Sequence, residues 1–119
     1  MTRVKYLLLL YDDVEATAAM GPEERRMMVE EHIAYSRMLG ERGALVSGEP
    51  LDGPETARSV RFGSDGQALV TDGPFIEAKE ALGGFYVLEC ASPDEAMRLA
   101  VQVPRSPGLV AELRPIPDL

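Results

Sequence analysis

A chain of 119 residues, 45% apolar and 27% charged, is the right size and composition for one soluble globular domain. Its net charge of −8 argues against phosphate backbones and anionic membrane surfaces, since such binding needs clustered Lys and Arg. Cys90 is the single cysteine, which precludes an intrachain disulfide and points to a reducing cytoplasm.

Val4 to Tyr11 is an apolar run with Lys5 as its only charge, so neither alternating face is cleanly polar. Such a strand needs cover on both sides. Arg3 and Lys5 before Leu7-Leu8-Leu9-Leu10, with Ala16-Thr17-Ala18 beyond, have the outline of a secretion signal. The apolar run is short, however, and Asp12-Asp13 end it, so the segment reads as a strand of a cytoplasmic protein. No segment approaches the ~20 apolar residues of a membrane span.

Asp12 to Met20 reads as a connection. Gly21-Pro22-Glu23-Glu24 then opens a helix, with proline early and acids in the first turn, that should run to about Gly40. At helical spacing Met27, Met28, Ala34, Tyr35, Met38 and Leu39 form one apolar stripe, with His32 at its edge. Gly43 breaks the chain before a short strand, Ala44 to Ser47, and the Pro- and Gly-containing stretch Gly48 to Glu55 reads as loop. Ala57 to Phe62 and Gln67 to Thr71 form a predicted hairpin around Gly63-Ser64-Asp65-Gly66.

The run from Thr71 to Tyr86 is the most specified of the chain. Pro74 forces Gly73 to turn or extend, the Asp72 carboxylate is placed to accept backbone N–H groups, and Phe75 offers an apolar anchor. Gly83-Gly84 marks a close backbone approach at the start of the next strand, Phe85 to Cys90. Ser92-Pro93-Asp94-Glu95 is a capping box for a second helix that places Ala96, Leu99, Ala100 and Val103 on one face. Leu109 to Arg114 is the last strand.

The order is β-α-β, a hairpin, then β-α-β. Leaving the hairpin aside, this is the split βαβ pattern of a ferredoxin-like α+β sheet, a βαββαβ fold with an inserted β-hairpin in one domain. Two helices cover one face of such a sheet. The apolar first strand requires the other face to be covered as well, which predicts a homodimer with sheets packed face to face.

Thr71-Asp72-Gly73-Pro74-Phe75, Glu77, Lys79-Glu80 and Leu82-Gly83-Gly84 resemble the signature of DGPF-motif proteins of the YCII-related family. The likeness extends to Tyr6-Leu7-Leu8-Leu9-Leu10-Tyr11 and to Glu112-Leu113-Arg114-Pro115, and so covers nearly the whole chain. The resemblance implies a dimeric α+β barrel. Many members have no assigned activity, and DGPF-type members are often encoded beside extracytoplasmic-function sigma factors. Some YCII-related proteins carry a His–Asp pair proposed as an acid/base dyad, and one similar protein is a dehydrochlorinase acting on a chlorinated aromatic. The family's histidine lies on the first helix, upstream of a helix-ending glycine, and His32 with Gly43 matches that placement. Its aspartate belongs to an Asp-Pro-aromatic segment after the second helix, which here reads Val103-Pro104-Arg105 without the carboxylate. Asp72 is the expected substitute.

The chemistry expected is that of an acid/base pair, in which a group titrating near neutrality is oriented by a carboxylate. His32, the only histidine, is the candidate acid/base and Asp72 the orienter or second acid. Each also has a structural reading: a helix histidine bonded to a carbonyl, and an Asx turn before Gly-Pro. Tyr11, Lys79, Glu77 and Tyr86 are candidate substrate contacts, although the charged pair could be a solvated couple and the tyrosines core. Cys90 reads as a buried inert thiol, and the methionine cluster as packing. One histidine and one cysteine make a zinc site from one chain improbable, no spacing of carboxylates suits a hard cation, and no cofactor motif is present. The expected function is a cofactor-free small-molecule site performing elimination or isomerisation by proton transfer. A regulatory partner of a sigma factor, without chemistry, is the alternative, and a purely structural dimer a third reading.

Overall fold

The structure is a computed structural model that describes residues 3–119. Strand β1 (Val4–Asp13) and the five-residue helix α1 (Val14–Ala18) lead into the long helix α2 (Pro22–Glu41) and strand β2 (Leu45–Pro50). After a 3-10 turn at Pro54–Thr56 come β3 (Arg58–Phe62), β4 (Ala68–Asp72), β5 (Glu80–Cys90), α3 (Pro93–Ala100) and β6 (Val110–Ile116). Strands β2-β5-β1-β6 form one antiparallel sheet in that order, and β3-β4 form a separate two-stranded sheet. The fold is α+β and consistent with the ferredoxin-like pattern plus hairpin.

The core lies between one sheet face and the helices. Alternation along β1 buries Tyr6, Leu8 and Leu10, and β5 adds Tyr86, Leu88 and Cys90. Tyr35 and Leu39 of α2, and Ala96, Leu99 and Ala100 of α3, close over them. Of the stripe expected on α2, Tyr35 and Leu39 are buried, whereas Met27 is half exposed. The Tyr35 hydroxyl donates to the Leu99 carbonyl at 2.7 Å, tying α2 to α3 and satisfying a polar group inside the core. Helix α2 ends in a Schellman-type exit: Gly43 takes a left-handed φ of 69°, and the Ala44 N–H reaches the Leu39 carbonyl at 2.9 Å.

Several boundaries differ from the sequence reading. Within the expected connection, Asp13 caps a short helix by accepting from the Ala16 N–H at 2.8 Å. Strand β2 runs three residues into the expected loop, because it is an edge strand on which Pro50 loses no ladder bond. Strand β5 starts at Glu80 rather than Phe85, so the end of the signature run is sheet. Asp72 does not form an Asx turn. Its carboxylate lies 3.3 Å from Arg58 across the hairpin, and the turn is made by Gly73, whose φ is 95° and whose N–H reaches the Ala57 carbonyl. Phe75 is no anchor either; it is exposed, with the Arg61 guanidinium 4.8 Å over its ring.

The second sheet face carries Leu7 and Leu9 of β1 opposite Val87 and Phe85 of β5, all half-buried. The hairpin stands apart from the main sheet with Val60, Phe62, Leu69 and Val70 exposed. The molecule is a slab of 47 × 43 × 17 Å with a radius of gyration of 16.5 Å. A compact chain of this length would have about 13.5 Å. None of the helices among the described residues is long and apolar enough to cross a membrane.

Candidate functional site

A cavity of about 380 Å3 opens between α2, the ends of β1, β2 and β5, and the loop from α3 to β6. Its walls are mainly apolar, with Leu10, Met28, Val29, Ile33, Pro104 and Leu109 among them. Among the described residues six polar ones interrupt them: Asp12, His32, Ser36, Glu49, Tyr86 and Ser106. A small apolar chamber with a few convergent polar groups is the usual form of a small-molecule site.

His32 and Tyr86 meet at the centre of this wall. The imidazole Nδ1 is 2.7 Å from the Tyr86 hydroxyl, and the two rings are nearly parallel, 5.9 Å between centroids. Tyr35 holds the other side of Tyr86 edge-on at 5.2 Å. Burial pushes the His32 pKa below its ordinary 6.5, opposed by the negative charges of Asp12 and Glu31. Burial also raises Tyr86, with a hydrogen bond to Ser36 working against it. At neutral pH both partners are therefore neutral, a base beside a phenol.

Asp12 is the carboxylate of the cavity. It continues the inward face of β1 beyond Leu10 and accepts a hydrogen bond from the Ser106 hydroxyl. The register of β1 on β5 shifts between Leu10 and Tyr11, leaving Gly83 as an extra residue on β5. A Cβ on Gly83 would collide with the Asp12 carboxylate, so this glycine clears the space the carboxylate occupies. Gly48 does the same for Tyr86: a Cβ there would lie 2.6 Å from Cδ1 of the ring. Gly84 is the close backbone approach expected from sequence, its missing Cβ 3.2 Å from the Glu49 carbonyl.

Of the residues singled out from sequence, His32 and Tyr86 are brought together and the others are not. Asp72 sits on the hairpin with its side chain 94% exposed, paired with Arg58 and outside the cavity, so the expected His32–Asp72 pair is not formed. Tyr11 points to the opposite sheet face, where its hydroxyl donates to Glu112 at 3.3 Å, because alternation places it opposite Asp12. Lys79 is 81% exposed and 3.9 Å from Asp13, and Glu77 is exposed; neither lines the cavity. Cys90 is buried with its thiol pKa raised by burial, the state of a packing residue.

Asp12, Ser36 and Ser106 are the residues sequence reasoning passed over. Alternation from Tyr6, Leu8 and Leu10 was the available signal for Asp12, since the next inward position is a carboxylate at the strand end. The segment after α3, where the family pattern carries its aspartate, does reach the cavity through Pro104. It contributes the Ser106 hydroxyl instead of a carboxylate, and that hydroxyl holds Asp12.

The model of the YCII-related domain matches residues 4–117. The chain is 40% identical over 95 residues to the uncharacterized protein R00369 of Rhizobium meliloti (strain 1021), covering 80% of this chain and 76% of that one. With its family model matched nearly end to end, the chain belongs to the YCII-related family.

Proposed function

We propose that the cavity is a small-molecule site for proton transfer, with His32 as general acid/base and Asp12, rather than Asp72, as its carboxylate. The observation that carries this reading is the 2.7 Å contact of His32 Nδ1 with Tyr86 on the wall that also holds Asp12. In the tautomer with Nδ1–H donating to the Tyr86 oxygen, Nε2 carries the lone pair and is the atom that takes a proton from a bound molecule. The imidazolium so formed is stabilised by the negative charge of Asp12 and returns the proton to the product. Because the histidine pKa is depressed, the base form dominates at neutral pH. An apolar chamber around it favours abstraction of a proton from carbon, followed either by departure of a leaving group with its electron pair, which is elimination, or by return of the proton at another atom, which is isomerisation.

The test is deuterium exchange into a panel of small carbonyl compounds in D2O, followed by proton NMR. The wild-type chain should exchange at least one of them with a rate that rises with pH and levels off at lower pH than an ordinary histidine base would give. His32→Ala should lose that exchange. Exchange at the wild-type rate in the variant would remove His32 from the chemistry.

The chain acts as a homodimer in this reading, as a dimeric α+β barrel. Leu7, Leu9, Phe85 and Val87 form an apolar strip along the open sheet face, and the radius of gyration exceeds that of a compact monomer. Both support a second copy over that face. Light scattering at micromolar concentration should give twice the 13.0 kDa chain mass, and a monomer would refute it.

A further inference from the structure

Charge along the cavity wall is one-sided. Among the described residues two acidic ones line the cavity, Asp12 and Glu49; the register of β2 pairs Gly48 with Tyr86 on the inward face and Glu49 with Phe85 on the outer one, which leaves Asp12 as the inward carboxylate. Among the described residues no Lys or Arg lines the cavity. The positive charge nearest in kind is His32, which burial keeps in its neutral form. One oxygen of Asp12 accepts from Ser106, while the other faces Gly83 and has no protein donor among the described residues. That second oxygen is free to accept from a bound molecule that supplies a donor or a positive charge.

We infer that the cavity takes an apolar molecule bearing a cationic amine, with the ammonium on Asp12 and the apolar body against Leu10, Met28, Ile33 and Leu109, and that it rejects carboxylates and phosphates. This inference rests on the cavity being a small-molecule site, but not on His32 doing chemistry. An anion of the same shape would bring a second negative charge against Asp12 with no basic side chain to offset it. The overall charge of −8 works in the same direction at longer range, drawing cations toward the mouth.

Three probes of one shape separate the possibilities: 2-phenylethylamine, 2-phenylethanol and 3-phenylpropanoate, titrated into the whole chain while the ring signals of His32, the single histidine, are followed by NMR. The amine should bind about tenfold or more tightly than the alcohol, and the carboxylate should show no saturation up to millimolar concentration. Asp12→Asn should bring the amine down to the level of the alcohol. Equal binding of carboxylate and amine, an amine preference that survives Asp12→Asn, or binding of none of the three would each overturn the inference. Its failure is distinct from failure of the catalytic reading. Amine binding by a chain that exchanges no protons leaves this inference standing and removes the chemistry, and exchange of neutral carbonyls by a chain that ignores amines does the reverse.

Discussion

Gly48→Ala should damage the site from a distance by moving one ring. Nothing in the backbone at Gly48 resists alanine, because its φ lies outside the left-handed region. At such a position alanine ordinarily stabilises by about 0.4–1 kcal/mol through the unfolded chain. Here the new Cβ would meet Tyr86 Cδ1 at 2.6 Å and Cε1 at 3.0 Å, with the Phe85 carbonyl at 3.1 Å. The ring has to retreat to ordinary contact beyond 3.4 Å, yet it is buried, held edge-on by Tyr35 and stacked on His32. Overpacking of this kind costs about 1–3 kcal/mol. A retreat of that size also takes the 2.7 Å bond to His32 out of range, at about 0.5–1.5 kcal/mol. The net loss is about 1–3 kcal/mol, a Tm drop of roughly 4–12 °C for a domain of this length. Thermal melts by circular dichroism measure it, and the His32 ring resonances report the lost bond. In a Tyr86→Ala background only the contact with the Phe85 carbonyl remains, so the cost should shrink markedly, which is the signature of direct coupling. A Gly48→Ala chain that melts at or above the wild-type temperature with unmoved His32 signals would refute the packing argument.

Other perturbations separate the site from its surroundings. Asp12→Asn removes a charge that raises the His32 pKa, so the imidazole should titrate at still lower pH; an unchanged NMR titration would show that Asp12 does not act on it. Because the folded-state pKa of His32 lies below its unfolded value, the unfolded chain binds more protons in between, and stability should fall as pH drops below about 6.5 toward the folded-state pKa. Urea midpoints at pH 8 and pH 5 should differ less in His32→Gln than in the wild type, and equal differences would remove His32 as a source of acid lability. Asp72→Asn touches only an exposed pair with Arg58, so it should leave both Tm and the His32 titration unchanged. A shifted His32 resonance in that variant would restore Asp72 to the site.

How much of the fold was legible followed from which signals are local. Helix α2 announces itself by Pro22 with Glu23 and Glu24 and closes on Gly43, and α3 by Ser92, whose hydroxyl accepts from the Glu95 N–H. These are short-range bonds that depend on neighbours in sequence. The strand ends were misjudged where pairing across the sheet decides. Pro50 and Glu80 look like loop residues by composition, but each finds a partner in the ladder, Pro50 opposite Gly84 and Glu80 opposite Asp13. Propensity is a weak guide where an edge strand or a strand end is held by a neighbour far along the chain.

The site divides along the same line. His32 was visible because a lone histidine at the edge of an apolar stripe is uncommon chemistry in a place the helix pattern locates. Asp72 drew the second assignment because it sits in the most patterned stretch, yet that pattern builds a turn on Gly73 and a hairpin ion pair. The carboxylate that faces the cavity, Asp12, lies in a short acidic pair whose first member reads as the end of an apolar run. Its significance depends on three facts that no single window contains: strand alternation that turns it inward, the bulge at Gly83 that makes room for it, and Ser106, 94 residues away, that holds it. The signature glycines point to the same place. Their missing side chains mark where the carboxylate and the backbone of β2 come close, so the Gly83-Gly84 end of the motif is cavity wall while the stretch from Asp72 to Lys79 lies outside it.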